Sequence, residues 1–253
     1  MEFQGKTVLI TGGTSGMGLL SAICFAKEGA NVVLTGTNEE RMNQAIEEIK
    51  QITPNVIGCL ADARDYAQVK ACCDRAVAQF GSLDILIPCA GGSECRILNT
   101  PGEFKDLPIE VVDFGIDLNL KGALYFAHVA LNQMAKQNSG VIIFIGSVTG
   151  EVGSTSDVAY SASKSALMNG VVKSIAQCGA KYGVRACCIS PGPVLTRPGM
   201  ARMDTLVGRA AEPQELVDMI MYMASEKGSF VNGVNILVDG GRSVMPNKSW
   251  SKK

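Results

Sequence analysis

Histidine and tryptophan are almost missing from this chain. His128 is the single imidazole, there is one Trp, and aromatic residues make up 6% of 253 positions. One histidine leaves an imidazole-rich zinc centre without ligands. The nine cysteines do not replace it, because none stands in a Cys-x-x-Cys pair and their number is odd. They are Cys24, Cys59, Cys72, Cys73, Cys89, Cys95, Cys178, Cys187 and Cys188. Reduced, mostly buried thiols of a cytoplasmic protein are the expectation, with no metal. No apolar run reaches the roughly 18 residues a membrane span needs. The start, Met1-Glu2-Phe3-Gln4-Gly5-Lys6, lacks the charged and apolar blocks of a signal peptide. Net charge is −1, with no basic stripe to suit a nucleic acid and no acidic tail.

What is abundant is apolar side chain: 47% hydrophobic against 19% charged, enough for a substantial core and against disorder. The length suits one large α/β domain over 1–253, with only 247–253 reading as a loose tail. Short β-rich runs at 7–11, 31–35, 56–60, 85–88, 141–146, 185–189 and 234–238 alternate with helical patterns. The clearest helices are 39–52, 66–80, 122–136, 158–182 and 213–224. Several strands are apolar throughout, as in strands covered on both faces. Alternating β and α predicts a doubly wound parallel sheet.

Three local patterns carry chemistry. The first strand feeds Thr11-Gly12-Gly13-Thr14-Ser15-Gly16-Met17-Gly18 and then a helical stretch at 19–28. Glycines without Cβ let the backbone approach a pyrophosphate, and a helix N-terminus offers it free N–H groups. The second pattern is Tyr160-Ser161-Ala162-Ser163-Lys164. Helical spacing puts the phenol and the ammonium on one face, and a nearby cation favours a phenolate. The third is Ser147, thirteen residues upstream, whose hydroxyl could hold a substrate oxygen beside the phenol.

Together these patterns resemble the short-chain dehydrogenase/reductase family, over nearly the whole chain. Thr-Gly-x-x-x-Gly-x-Gly matches Thr11 through Gly18, and Tyr-x-x-x-Lys matches Tyr160 and Lys164. Ser147 and Asn119 match the family's remaining catalytic positions, and Pro191-Gly192 its turn after the sixth strand. One departure stands out: Pro88-Cys89-Ala90-Gly91 replaces the usual Asn-Asn-Ala-Gly. The missing asparagines are expected to weaken the polar bracing of the central strands.

The resemblance implies seven strands in the order 3-2-1-4-5-6-7 and an oxidoreductase interconverting a secondary alcohol and a ketone. Tyr160 would be the general acid/base, Lys164 its cationic neighbour and a ribose ligand, and Ser147 the group that polarises the substrate oxygen. Asn119 would hold a water linking Lys164 to solvent. The cofactor, NADP or NAD, would lie along Gly12, Thr14, Ser15, Gly16, Met17 and Gly18. Thr37 and Asn38 would face its ribose, Asp62 and Ala63 its adenine, and Ala90 and Gly91 its adenosine. Pro191, Gly192, Val194 and Thr196 would cradle the nicotinamide. No acid stands at Gly36 to repel a 2′-phosphate, which leans the reading toward NADP. Gly92, Arg96 and Arg197 are candidates for the substrate, expected to be a small polar sugar acid, polyol or hydroxy acid. The alternatives are a 3-oxoacyl-[acyl-carrier-protein] reductase, a steroid-type dehydrogenase and, from another class, a non-catalytic cofactor sensor.

The family also pairs subunits through helices. Ala159, Ala162, Ala166 and Gly170 form a small-residue face, and the expectation is a homodimer or homotetramer built on 122–136 and 158–182. His128, on the first of these, is expected to make a packing or interface hydrogen bond.

Overall fold

Strand β1, Thr7–Thr11, is buried at every position, and its side chains go alternately to two cores. Val8 and Ile10 pack with Phe25, Leu34 and Leu216, while Leu9 joins Val69, Phe126 and Phe144 on the other face. A strand covered on both sides must be apolar throughout, which is why the run carries no polar alternation. A computed structural model of the chain describes residues 1–246; the expected tail at 247–253 lies outside them.

Helix α1, Gly16–Lys27, follows β1 and leads to β2, Asn31–Gly36. Then come α2 (Glu39–Lys50), β3 (Val56–Leu60), α3 (Tyr66–Phe80) and β4 (Ile85–Pro88). Short α4 (Glu94–Ile97) and α5 (Ile109–Ile116) precede α6, Gly122–Gln137. Strand β5 (Gly140–Ile145) is followed by α7 (Val148–Val152), α8 (Val158–Ala166) and α9 (Val172–Ala180). Strand β6 (Val184–Pro191), α10 (Pro213–Ala224) and β7 (Val234–Val238) complete the order. The seven strands form one sheet, β3-β2-β1-β4-β5-β6-β7, and neighbouring strands pair in parallel, as the resemblance implied. Between β1 and β4 the winding reverses, so their loops diverge and leave a crevice at the carboxyl edge.

Two expected elements differ from the reading of the sequence. Helix α1 begins at Gly16, not at residue 19, so the last two glycines of the motif already belong to its first turn. The helix expected over 158–182 is two α-helices joined by a π turn, Leu167–Val171, and a second π turn, Asp117–Lys121, joins α5 to α6. The small-residue face is correspondingly not uniform. Ala162 and Gly170 are exposed, whereas Ala159 is buried inside the subunit. A Cβ added to Gly115 of α5 would stand 2.7 Å from the Ala159 methyl, which is how closely the two helices approach.

Local capping explains several boundaries. Asp65 precedes α3 and its carboxylate accepts from Ala67 N (2.9 Å) and Gln68 N (3.1 Å), two donors the helix cannot satisfy itself. Asp65→Ala is expected to cost about 0.5–2 kcal/mol, read as a lower urea midpoint at unchanged slope. His128 meets the Tyr66 hydroxyl at 2.9 Å through Nδ1, a packing bond within the subunit. Six of the nine cysteines are buried, and only Cys178 is exposed.

Candidate active site

The glycine loop brings backbone close to backbone. Gly12 and Gly16 take φ of +62° and +55°, in the left-handed region that favours glycine. A Cβ on Gly12 would stand 3.0 Å from Ala90 Cα, and one on Gly18 would stand 2.5 Å from the Gly12 carbonyl oxygen. Ser15, at the N-cap of α1, makes no side-chain capping bond, and the first turn holds no acidic residue. The first N–H groups of α1 are thus left for an anion, with the positive end of the helix dipole behind them. This arrangement fits the pyrophosphate of a dinucleotide.

At the end of β4 the chain turns through Gly91 and Gly92, at φ +146° and +154°. Two side chains brace this turn. Thr11 Oγ1 accepts from Ala90 N at 2.8 Å, tying β1 to β4. Asn119, 1% exposed in the π turn, accepts from Gly92 N at 2.8 Å and donates to Gly92 O and Gly115 O, both at 3.0 Å. Both amide hydrogens of Asn119 are therefore used on backbone, and its side chain is a brace for this turn.

Ser147 follows β5, is 8% exposed and serves as N-cap of α7, accepting from Thr149 N at 3.1 Å. Lys164 on α8 is buried; its Nζ donates to Ile145 O at 2.7 Å and lies 5.5 Å from the centre of the Tyr160 ring. The end of β5 thus anchors the ammonium beside the phenol. Ser147, Tyr160 and Lys164 face one cleft of about 840 Å³. From the glycine motif, Gly12, Ser15, Gly16, Met17 and Gly18 line its other end. Ala90, Gly91 and Gly92 form part of the wall, and Pro191, Gly192, Val194 and Thr196 another. Thr196 Cγ2 lies 3.8 Å from where a Gly16 Cβ would be, so the segment after β6 leans over the glycine loop.

Other expected residues stand outside this cleft. Thr37 is exposed, and Asn38 caps α2 by accepting from Arg41 N at 2.8 Å. Thr14 sits against Gly36, its Cγ2 3.3 Å from a Cβ built there. Ala63 packs on Gly122, its methyl 3.0 Å from a Cβ built there. Asp62 is gripped by Arg64, with Nη2 at 2.6 Å and Nε at 3.0 and 3.1 Å from its two carboxylate oxygens. That hydrogen bonding holds the Asp62 carboxyl below the usual range against the opposing effect of burial. An adenine amino group would have to share this carboxylate.

Two features were missed by sequence reasoning. Arg242, after β7, joins Arg96 and Arg197 on the cleft wall. Among the described residues none of these guanidiniums has a carboxylate at ion-pair distance. The second is Glu94, a carboxylate only 1% exposed, whose oxygens accept from Ala159 N and Tyr160 N at the start of α8. No spacing marks it, because its partners lie more than sixty residues away.

A sequence profile described as "short chain dehydrogenase" matches residues 6–206. The chain belongs to the short-chain dehydrogenase family. It is 33% identical to "Oxidoreductase UcpA" of Salmonella typhimurium, over 96% of each chain. It is 29% identical to "L-rhamnose 1-dehydrogenase (NAD(P)(+))" of a Sphingomonas species, over 95% of this chain and 97% of the other. Among solved structures, levodione reductase superposes with a TM-score of 0.89 at 25% identity, over 96% of this chain and 100% of that one. The chain is accordingly an oxidoreductase of the CH–OH/C=O type, in a family that uses nicotinamide cofactors. Among the described residues no helix is long and apolar enough to cross a membrane.

Proposed function

We propose that this short-chain dehydrogenase interconverts a secondary alcohol and a ketone, with Tyr160 as general acid/base and a small acidic hydroxy compound as substrate. The observation that carries the reading is the placement of Ser147, Tyr160 and Lys164 on one cleft with the glycine loop. A bound nicotinamide would supply or accept the hydride. Tyr160 gives its proton to the carbonyl oxygen in reduction and takes the hydroxyl proton in oxidation. Lys164, fixed by Ile145 O, places its ammonium beside the phenol and reaches the ribose hydroxyls. Ser147 donates to the substrate oxygen. With the Asn119 side chain committed, a water bridging Lys164 to solvent would be anchored on the main chain of the π turn.

The substrate is a sugar acid or hydroxy acid rather than a neutral polyol. Exposed arginines commonly point into solvent, but three guanidiniums line this cleft without a carboxylate at ion-pair distance among the described residues, which favours a carboxylate or phosphate. A panel of hydroxy acids, the matching esters and polyols, assayed with NAD and NADP separately, tests this. Acids should exceed their esters in kcat/KM, and Arg96→Ala or Arg242→Ala should narrow that ratio by about 10-fold. Esters turned over as well as acids would count against it.

The cofactor is NADP in preference to NAD, because Gly36 ends β2 without a carboxylate. Gly36→Asp places an anion there and should shift preference toward NAD by about 10-fold through like-charge repulsion. An unchanged NAD/NADP ratio of dissociation constants would contradict this placement of the ribose.

The protein acts as a single catalytic domain, in the cytoplasm, as a homodimer or homotetramer. Ala162 and Gly170 remain exposed, and nothing lies within 4 Å of a Cβ built at Gly170, so a second helix has room to approach. Light scattering should give at least twice the subunit mass; a single-subunit mass would overturn the assembly.

A further inference from the structure

We propose that Glu94 is a positioning residue for Tyr160, an inference that rests on Tyr160 being the proton-transfer group. A carboxylate taken out of water needs either an opposite charge or several hydrogen bonds. Glu94 is 1% exposed, and among the described residues it has no Lys, Arg or His at ion-pair distance. Its partner is the start of α8. Oε1 accepts from Ala159 N at 3.1 Å, and Oε2 accepts from Tyr160 N at 3.1 Å. These are N–H groups the helix cannot satisfy itself, at the positive end of its dipole.

The helix has no cap of its own. Asp157 occupies the N-cap position yet makes no capping bond; its carboxylate accepts from Ser93 Oγ at 2.5 Å. Next to it, Cys95 Sγ donates to Ser156 O at 3.7 Å. Residues 93–95 are therefore fastened side by side to the turn that starts the catalytic helix. Helix α5 closes the arrangement, because a Cβ on Gly115 would stand 2.7 Å from the Ala159 methyl and 3.1 Å from Glu94 Cδ. Glu94 is thereby packed and hydrogen-bonded against the main chain that carries Tyr160.

The same short segment carries Gly92 and Arg96 on the cleft wall. Glu94 thus fixes the distance between the wall that meets the substrate and the hydroxyl that exchanges its proton. It does not touch the reacting atoms; it acts through the peptide N–H of Tyr160.

The test compares Glu94→Gln and Glu94→Asp with the native enzyme. Hydrogen exchange, which requires no substrate, should be about 10- to 100-fold faster at the Ala159 and Tyr160 amides in Glu94→Gln. With saturating NADPH and a keto acid from the panel, kcat should fall about 10-fold while KM and the cofactor dissociation constant stay within about 2-fold. The solvent deuterium isotope effect on kcat should rise, because a displaced phenol slows proton transfer. Glu94→Asp keeps the charge on a shorter arm, serves as the folding control and should lie between the two. Unchanged exchange at both amides overturns the proposal. So does a kcat that falls only with the folded fraction, at an unaltered isotope effect. Full turnover by Tyr160→Phe would instead remove the role of Tyr160, while the exchange measurement still reports the hold of Glu94 on the helix.

Discussion

Replacing Tyr160 with Phe should lower turnover by about 10²–10⁴-fold while leaving cofactor affinity nearly intact. The substitution deletes one oxygen and keeps the ring. Lys164 keeps its 2.7 Å bond to Ile145 O, so the ammonium stays where the ribose hydroxyls need it. The glycine loop lies at the other end of the cleft and is untouched. What disappears is the hydroxyl of a ring that lines the cleft with its centre 5.5 Å from that ammonium. Steady-state kcat and fluorescence titration of the reduced cofactor separate the two effects. Equal turnover in the variant would remove the assigned chemistry.

Gly18→Ala should weaken cofactor binding. The added methyl would stand 2.5 Å from the Gly12 carbonyl oxygen and 3.1 Å from both Gly12 C and Gly13 Cα, all of them backbone. No rotamer change relieves a clash with main chain, so the loop itself must move. Overpacking of this kind costs typically about 1–3 kcal/mol, which is about 5- to 150-fold in a dissociation constant if the strain falls on the loop that receives the phosphates. Gly13 offers a milder case: the nearest atom to a Cβ there is the tip of Leu34, Cδ2 at 2.7 Å, and the nearest main-chain atom, Ile10 O, stands at 3.0 Å instead of 2.5 Å. Gly13→Ala should therefore weaken binding less. Isothermal titration with NADPH on both variants checks the order, and equal losses would contradict it.

Much of this was legible in the amino-acid order. The runs at 7–11, 56–60, 85–88 and 234–238 are the strands β1, β3, β4 and β7 residue for residue; β1 and β4 are buried throughout, and such parallel strands leave a continuous apolar signature. The glycine loop, Ser147, Tyr160 and Lys164 announced themselves through fixed local spacing. The residues that escaped lack such spacing. Glu94 stands in a stretch without helical or strand period, and Asp157 occupies the N-cap position of the helix that Glu94 actually caps. Arg242 follows the last strand, where no periodicity points anywhere. Asp62 is shared with Arg64, two residues along, a pairing that no spacing in the sequence fixes. Asn119 was recognised by position, but its side-chain bonds to Gly92 and Gly115 depend on the π turn, which has no composition of its own.

The π turn at Leu167–Val171 interrupts what would otherwise be one rod from α8 to α9. One extra residue in a turn advances the angular sequence of side chains by roughly 100°. Ahead of it, Tyr160 and Lys164 look into the cleft; behind it, Val172 and Ala176 look into the core. A helical wheel drawn straight through 158–182 consequently misplaces one half of the rod or the other. Removing a single residue there would work as a crank, twisting the proton-transfer pair out of the crevice if the far end stayed seated. Chain length across that short stretch is a timing mark for the enzyme, independent of which side chains occupy it.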